Sequence, residues 1–271
     1  MGPARILAVA ALLLACARVP PPELQADPAE LLARLEAAQA RVHSVRGTGR
    51  VGIDAPGRSG STDAFLAAER PDRLRVEVMD FFGNVAAVLA SDGERFSLYD
   101  ARGGTFYRGR PTAENVSSLL PLALPPAELV AILCGAAPVR PGSPASVEPR
   151  GDRVVLTVGA GAAAEELSVG AELAVEEARL PPGGPGGAPG YALDFGLFRH
   201  HAGRRFPTEL ELTASEPRAR MTLAWKGDLE VNRRSDPGLF RLDPPRGARI
   251  VDLVPGAAVP AVEIPLRRSG E

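Results

Sequence analysis

The chain has 271 residues, 45% of them hydrophobic, with 31 basic and 33 acidic side chains and a formal net charge of −2. That length suits one substantial domain, and with both signs interspersed and no basic block it argues against nucleic acid as a partner. The 29 glycines and 27 prolines gather in loops, as in a mainly-β protein with many turns.

Residues 1–15 carry one charge, Arg5, then an apolar run from Ile6 to Leu14 that is too short to cross a bilayer. This is the pattern of a secretory signal peptide. The ending Leu13-Leu14-Ala15-Cys16 resembles the bacterial lipobox, which implies cleavage before Cys16 and attachment of acyl chains to its thiol. Two or three such chains hold a protein on a membrane, since each buried CH2 contributes about 0.8 kcal/mol. By resemblance to lipoprotein sorting rules, Ala17 at the next position implies the outer membrane, facing the periplasm. Lipidation consumes Cys16, so Cys134 has no cysteine to pair with and reads as an inert core thiol.

Pro20-Pro21-Pro22 predicts a stiff tether over residues 16–26. A domain is expected over 27–254 and a loose tail over 255–271. Asp27 is a good N-cap and Pro28 a good first helical residue; Leu31, Leu32, Leu35, Ala38 and Val42 then share one helical face. Gly47, Gly49 and Gly52 form a formal GxGxxG, but a helix precedes it and strand-like alternation follows, the reverse of a dinucleotide site. It reads as a glycine-rich strand. A second strand spans 62–69, and Pro71 ends it.

Residues 70–100 predict three strands. Leu74, Val76 and Val78 alternate with Arg73, Arg75 and Glu77; 85–89 and 96–99 follow, joined by Asp92-Gly93. The first connection, Asp80-Phe81-Phe82-Gly83-Asn84, is a turn carrying two phenylalanines. A phenylalanine left in water forgoes roughly 1.5–3 kcal/mol, so the pair either folds back on the core or projects as a wedge for membrane or acyl chains. Phe82 is the expected wedge, with Phe81 beside it.

A short strand at 104–107 leads into two helical patterns, 113–120 and 125–135, rich in Leu119, Leu120, Leu122, Leu129 and Leu133. Such helices, flanked by strands, should cap an open apolar surface. Strands resume at 154–158, 173–180, 191–198, 208–214, 221–225 and 229–231, with a Gly/Pro-rich loop at 181–190. The acid pairs Glu165-Glu166 and Glu176-Glu177 read as solvated. His43, His200 and His201 lack ligand or triad spacing and there is no Gly-x-Ser-x-Gly, so no catalysis, metal or cofactor is expected.

The order helix, six strands, greasy helical insertion, further strands resembles the outer-membrane lipoprotein receptor LolB and the periplasmic carrier LolA. The residues that carry the resemblance are Val45-Arg46-Gly47-Thr48-Gly49-Arg50, Phe81-Phe82-Gly83-Asn84, Leu119-Leu120-Pro121-Leu122, the run from Leu129 to Pro138, and Phe206-Pro207. The loop at 181–190 and the segment 236–255 are extra. The resemblance implies mainly β with α: an unclosed, strongly curved antiparallel sheet, a half-barrel, with an N-terminal helix and two short central helices as a lid. It implies that the concave face accepts acyl chains of lipoproteins or other lipids, on a monomer that a LolA-like carrier could supply. The cavity and lid residues then expected are Leu74, Val76, Val78, Val88, Phe96, Leu98, Leu119, Leu120, Leu122, Leu129, Leu133 and Phe195. An envelope lipoprotein using the same fold as an interaction or sensor module is the alternative.

Overall fold

The computed structural model describes residues 20–116, 118–183, 189–254, 259 and 262–267. The signal peptide, Cys16 and the centre of the 181–190 loop lie outside the described residues. Helix α1 (Pro28–Ala40) is followed by β1 (Ser44–Ala55), β2 (Arg58–Glu69), β3 (Arg73–Met79), β4 (Val85–Ser91), β5 (Phe96–Asp100) and β6 (Thr105–Gly109). Helices α2 (Ala113–Val116) and α3 (Pro126–Leu133) interrupt the strands. Then come β7 (Pro144–Arg150), β8 (Arg153–Val158), β9 (Glu165–Val169), β10 (Val175–Leu180), β11 (Tyr191–His201), β12 (Arg204–Ser215) and β13 (Arg218–Trp225). The short β14 (Glu230–Val231) and β15 (Arg249–Asp252) are the last strands among the described residues.

All these strands join one sheet in the order β15-β6-β5-β4-β3-β2-β1-β13-β12-β11-β10-β9-β8-β7, with β14 beside β1. Pairing is antiparallel except for β15, which runs parallel to β6. The two end strands do not meet, so the sheet is curled and unclosed, the half-barrel the sequence predicts. The register fixes two rims. Turns at 56–57, 80–84, 159–164 and 216–217 lie on one, and turns at 70–72, 92–95, 151–152 and 202–203 on the other. An open sheet with an apolar face needs a cover. Here α1 places Leu31 and Leu35 against Leu156, Leu167 and Leu193, while α3 places Leu129, Val130 and Leu133 among Leu74, Leu89 and Phe206.

Local chemistry explains the element ends. The Asp27 carboxylate accepts from the backbone N–H groups of Ala29 at 3.0 Å and Glu30 at 3.1 Å, capping α1. Helix α3 ends at Gly135, whose φ of +72° puts it in the left-handed region. A side chain there would meet Pro207 at 2.9 Å and Phe206 at 3.1 Å. Gly135→Ala is therefore expected to cost about 1–3 kcal/mol, read as a lower urea midpoint. An unchanged midpoint would show that α3 tolerates a shift from β12.

Several expectations are corrected. Within the 113–120 pattern the helix covers Ala113–Val116 and residues 118–120 are turn, and the strand read from 173 begins at Val175 after a short 3-10 turn. Three strands went unread: β7, β9 and β15. The tether is docked where it is described: Pro22–Leu24 forms a 3-10 turn with Leu24 fully buried. The tail is not loose throughout. Val259 and Val262 are buried in the core, and Arg267 bridges Ser61. The segment at 236–255 supplies β15 and buries Phe240; Arg75 on β3 donates to the carbonyl of Leu239 at 3.0 Å.

Candidate functional site: an apolar cavity beneath the helical roof

Between the concave face and the roof lies a cavity of about 70 Å3. Its walls are Val51, Leu66, Leu74, Val76 and Leu89 on one side and Leu210, Leu212, Met221, Thr222 and Leu223 on the other. The roof is Val116, Leu119, Leu120, Leu129, Ile132 and Leu133. Among the described lining residues Thr222 alone has a polar side chain. Of the residues expected from sequence, Leu74, Val76, Leu119, Leu120, Leu129 and Leu133 meet here.

The others are placed elsewhere. Val78, Phe96 and Leu98 are packed core around the cavity without lining it, and Leu122 and Phe195 belong to the second cluster, under α1. Val88 is on the wrong face: it pairs with Glu77 and Tyr99, whereas Val76 and Val78 pair with Leu89 and Ala87. Sequence reading missed the β12 and β13 wall. Leu210 and Leu212 alternate in the strand pattern, but only the sheet order brings them opposite β3.

Glycine shapes the floor. At Gly49 a Cβ would lie 2.4 Å from Leu223 and 3.4 Å from Leu66, so the bare backbone leaves both leucines free to line the space. At Gly47 the backbone of Leu229 comes within 3.0 Å of the same position. Close packing, not phosphate binding, is what these glycines serve.

The roof is tied down at two polar points. Arg58 at the start of β2 donates to the carbonyl of Leu119 at 3.3 Å, and burial pushes its pKa down. At the other end of the roof, Glu128 in the first turn of α3 accepts from the Tyr191 hydroxyl at 2.7 Å. Arg140 lies 3.9 Å from Glu128 and 3.7 Å from Glu165, and its guanidinium also donates to the carbonyls of Pro181 and Pro189, gripping both ends of the Gly/Pro-rich loop. Glu165, expected in solvent, is 3% exposed. Desolvation raises its pKa and Glu128 adds to the effect, against the opposing N–H and charge of Arg140. Glu176 is ion-paired with Arg153 at 2.9 Å and Arg205 at 3.0 Å, rather than free.

The β3–β4 tip is built around Asp80. Its carboxylate accepts from the N–H groups of Phe82 and Asn84, each at 2.8 Å, and from the Asn84 amide at 3.2 Å. Desolvation pushes the Asp80 pKa up, but the donors of Asn84, Phe82 and Gly83 outweigh it and hold the carboxyl below the usual range. The turn so fixed presents Phe82 at 89% exposure and Phe81 at 50%. Phe81 is not bare: the Arg267 guanidinium lies 5.5 Å from its ring centroid.

Burial raises the Cys134 thiol to about 12, so it holds no thiolate at neutral pH. Among the described residues no group of three or more His, Cys, Asp or Glu is placed to hold a metal, and no helix is long and apolar enough to cross a membrane.

A curled, unclosed sheet with an apolar hollow and a helical roof is the fold class of this chain, and it is the fold of LolA superfamily structures. No sequence-family profile matches the chain, and no curated protein does so either. Among solved structures it is similar to a domain from Vibrio parahaemolyticus assigned as an outer membrane lipoprotein-sorting protein, at TM-score 0.55 and 11% identity over 78% of this chain and 97% of that one. It is also similar to a LolA superfamily protein from Nitrosomonas europaea, at TM-score 0.53 and 11% identity over 80% and 98%. A DUF1329 family protein from Desulfovibrio piger follows at TM-score 0.51 and 9% identity, over 79% and 95%.

Proposed function

We propose that this chain is a lipoprotein of the bacterial cell envelope, anchored through acylated Cys16, that binds acyl chains of lipoproteins or other lipids beneath its helical roof and helps insert them into the outer membrane. The observation that carries the reading is the cavity between sheet and roof, lined among the described residues by apolar side chains and Thr222. The fold of the lipoprotein-sorting and LolA superfamily structures supports a carrier and an envelope location. The space is small in this closed form. A cavity of about 150 Å3 takes one benzene, so an acyl chain needs the roof to move. The roof is suited to that: a four-residue helix and an eight-residue helix joined through Pro121 and Pro125, rather than one long element.

The chain works as a monomer, without cofactor, metal or catalysis, receiving cargo from a LolA-like carrier and presenting Phe82 to the membrane. The small closed volume favours one rival, a sealed interaction module on the same fold. Titrating the unlipidated domain with a fluorescent fatty acid separates the two. Saturable uptake, with Leu129→Arg abolishing it, is expected of the carrier; a protein that stays dry at every concentration is the module.

A further inference from the structure

We propose that the edge of β2 beyond the end of β3 is a docking site for an extended polypeptide, and that its occupant in function is the backbone of an acylated cargo just after its lipidated residue. This rests on the acyl-binding reading above and narrows it, since the cargo is then a lipoprotein rather than a free lipid.

Strand β2 begins at Arg58, but its pairing with β3 covers only Ala64 to Glu69. Over the first residues of β2 the sheet has β1 on one side and an open edge on the other. That edge is met by the chain's own Arg267, in an isolated antiparallel bridge with Ser61. Ser61 donates its N–H to the carbonyl of Arg267 at 2.9 Å, and Arg267 donates its N–H to the carbonyl of Ser61 at 2.8 Å. The surface is cut for backbone. Gly60 has φ +144°, and a Cβ there would sit 2.4 Å from the Arg267 carbonyl oxygen.

The course of the segment 262–267 is the path a lipoprotein would need. At its inner end Val262 donates its N–H to the carbonyl of Ser118 at 3.3 Å and is buried in the cluster that holds Leu119 and Leu129. At its outer end Arg267 donates to the carbonyl of Phe81 at 3.3 Å. Residues 262–267 thus run from the roof of the apolar cavity to the exposed tip. A lipoprotein carries its tails on the first residue of an extended chain; with tails in the cavity, its polypeptide must leave through this mouth. The chain's own segment is a stand-in that cargo displaces, pairing with β2 by strand addition.

A reversible staple tests this. Directly bonded antiparallel partners have Cα atoms about 5.5 Å apart, within the roughly 4.4–6.8 Å that a disulfide spans. Ser61→Cys with Arg267→Cys, in a chain carrying Cys16→Ser, therefore locks the segment when oxidised. Two probes are used: a fluorescent fatty acid, and a short peptide acylated on its first residue. The oxidised protein should keep the fatty acid and lose lipopeptide affinity at least about tenfold, with reductant restoring it. Equal lipopeptide affinity in both redox forms overturns the inference, as does loss of both probes together, which would make the segment a general plug. If neither form takes up the fatty acid, the acyl-binding reading fails, and this one with it.

Discussion

Replacing Phe82 with glutamate is expected to leave fold and acyl uptake intact while cutting transfer of bound lipid into vesicles at least about tenfold. The side chain is 89% exposed, and the turn that presents it is held by Asp80 and Asn84 through groups the substitution does not touch. Stability should therefore move little. What changes is the cost of entering a bilayer, where an aromatic ring gains and a carboxylate loses several kcal/mol. Uptake and transfer are measured on the same loaded protein, so a binding defect cannot pass for a delivery defect. Transfer at the wild-type rate would remove the tip from the mechanism.

The second large effect is on stability. Arg140→Met removes the one guanidinium between Glu128 and Glu165, whose side chains are 12% and 4% exposed. Breaking such a buried arrangement from one side leaves uncompensated charge and typically costs about 3–5 kcal/mol. A lower urea midpoint should result, together with release of α3 and of the loop ends held at Pro181 and Pro189. Glu165→Gln in the same background should recover part of the loss, because one carboxylate then remains. In the native background that substitution also carries a pH signature. The Glu165 pKa is raised in the folded state, through desolvation first and Glu128 next. The folded form thus holds the proton more tightly than the unfolded chain. Its contribution is complete below the ordinary glutamate value of about 4.3 and is lost as pH rises through the folded pKa. Glu165→Gln should therefore gain stability relative to wild type as pH climbs through that window. A difference in Tm that stays constant with pH would show that Glu165 is not desolvated.

Much of this architecture can be read from residue order. The alternation at Leu74, Val76 and Val78 places β3 and its inward face, because period 2 survives wherever one face is wet. Where neither face is wet, the signal vanishes. The run of β4 is apolar on both sides, and Val88 was assigned inward because nothing local reveals that its outer face is covered. Strand β9 was hidden for a different reason. Glu165 and Glu166 look solvated, and only Arg140, far off in the chain, makes burial of the first tolerable. The segment at 262–267 has almost no local signal at all. Its place depends on an edge of β2 created by the early end of β3. The cavity itself was half legible: the β3 wall and the roof were, and the opposite wall, made by a strand order running from β1 to β13, was not.

The docking of Leu24 has a bearing on orientation. Pro20 and Leu24 line one surface groove with Val147, Pro149 and Gly151, beside the β7–β8 turn, and that turn is on the rim opposite the one bearing Phe82. Pro20 is four residue steps from Cys16, a reach of at most about 14 Å, while β3 alone rises about 23 Å toward Phe82. If Cys16 is the anchor proposed above, a protein moored there with Leu24 seated would hold its aromatic tip on the side away from the membrane. To face its own membrane it must free Leu24, and the eleven residues from Cys16 to Ala26 then pay out about 36 Å of slack. Under that anchor, the seating of one leucine would set which way the tip faces.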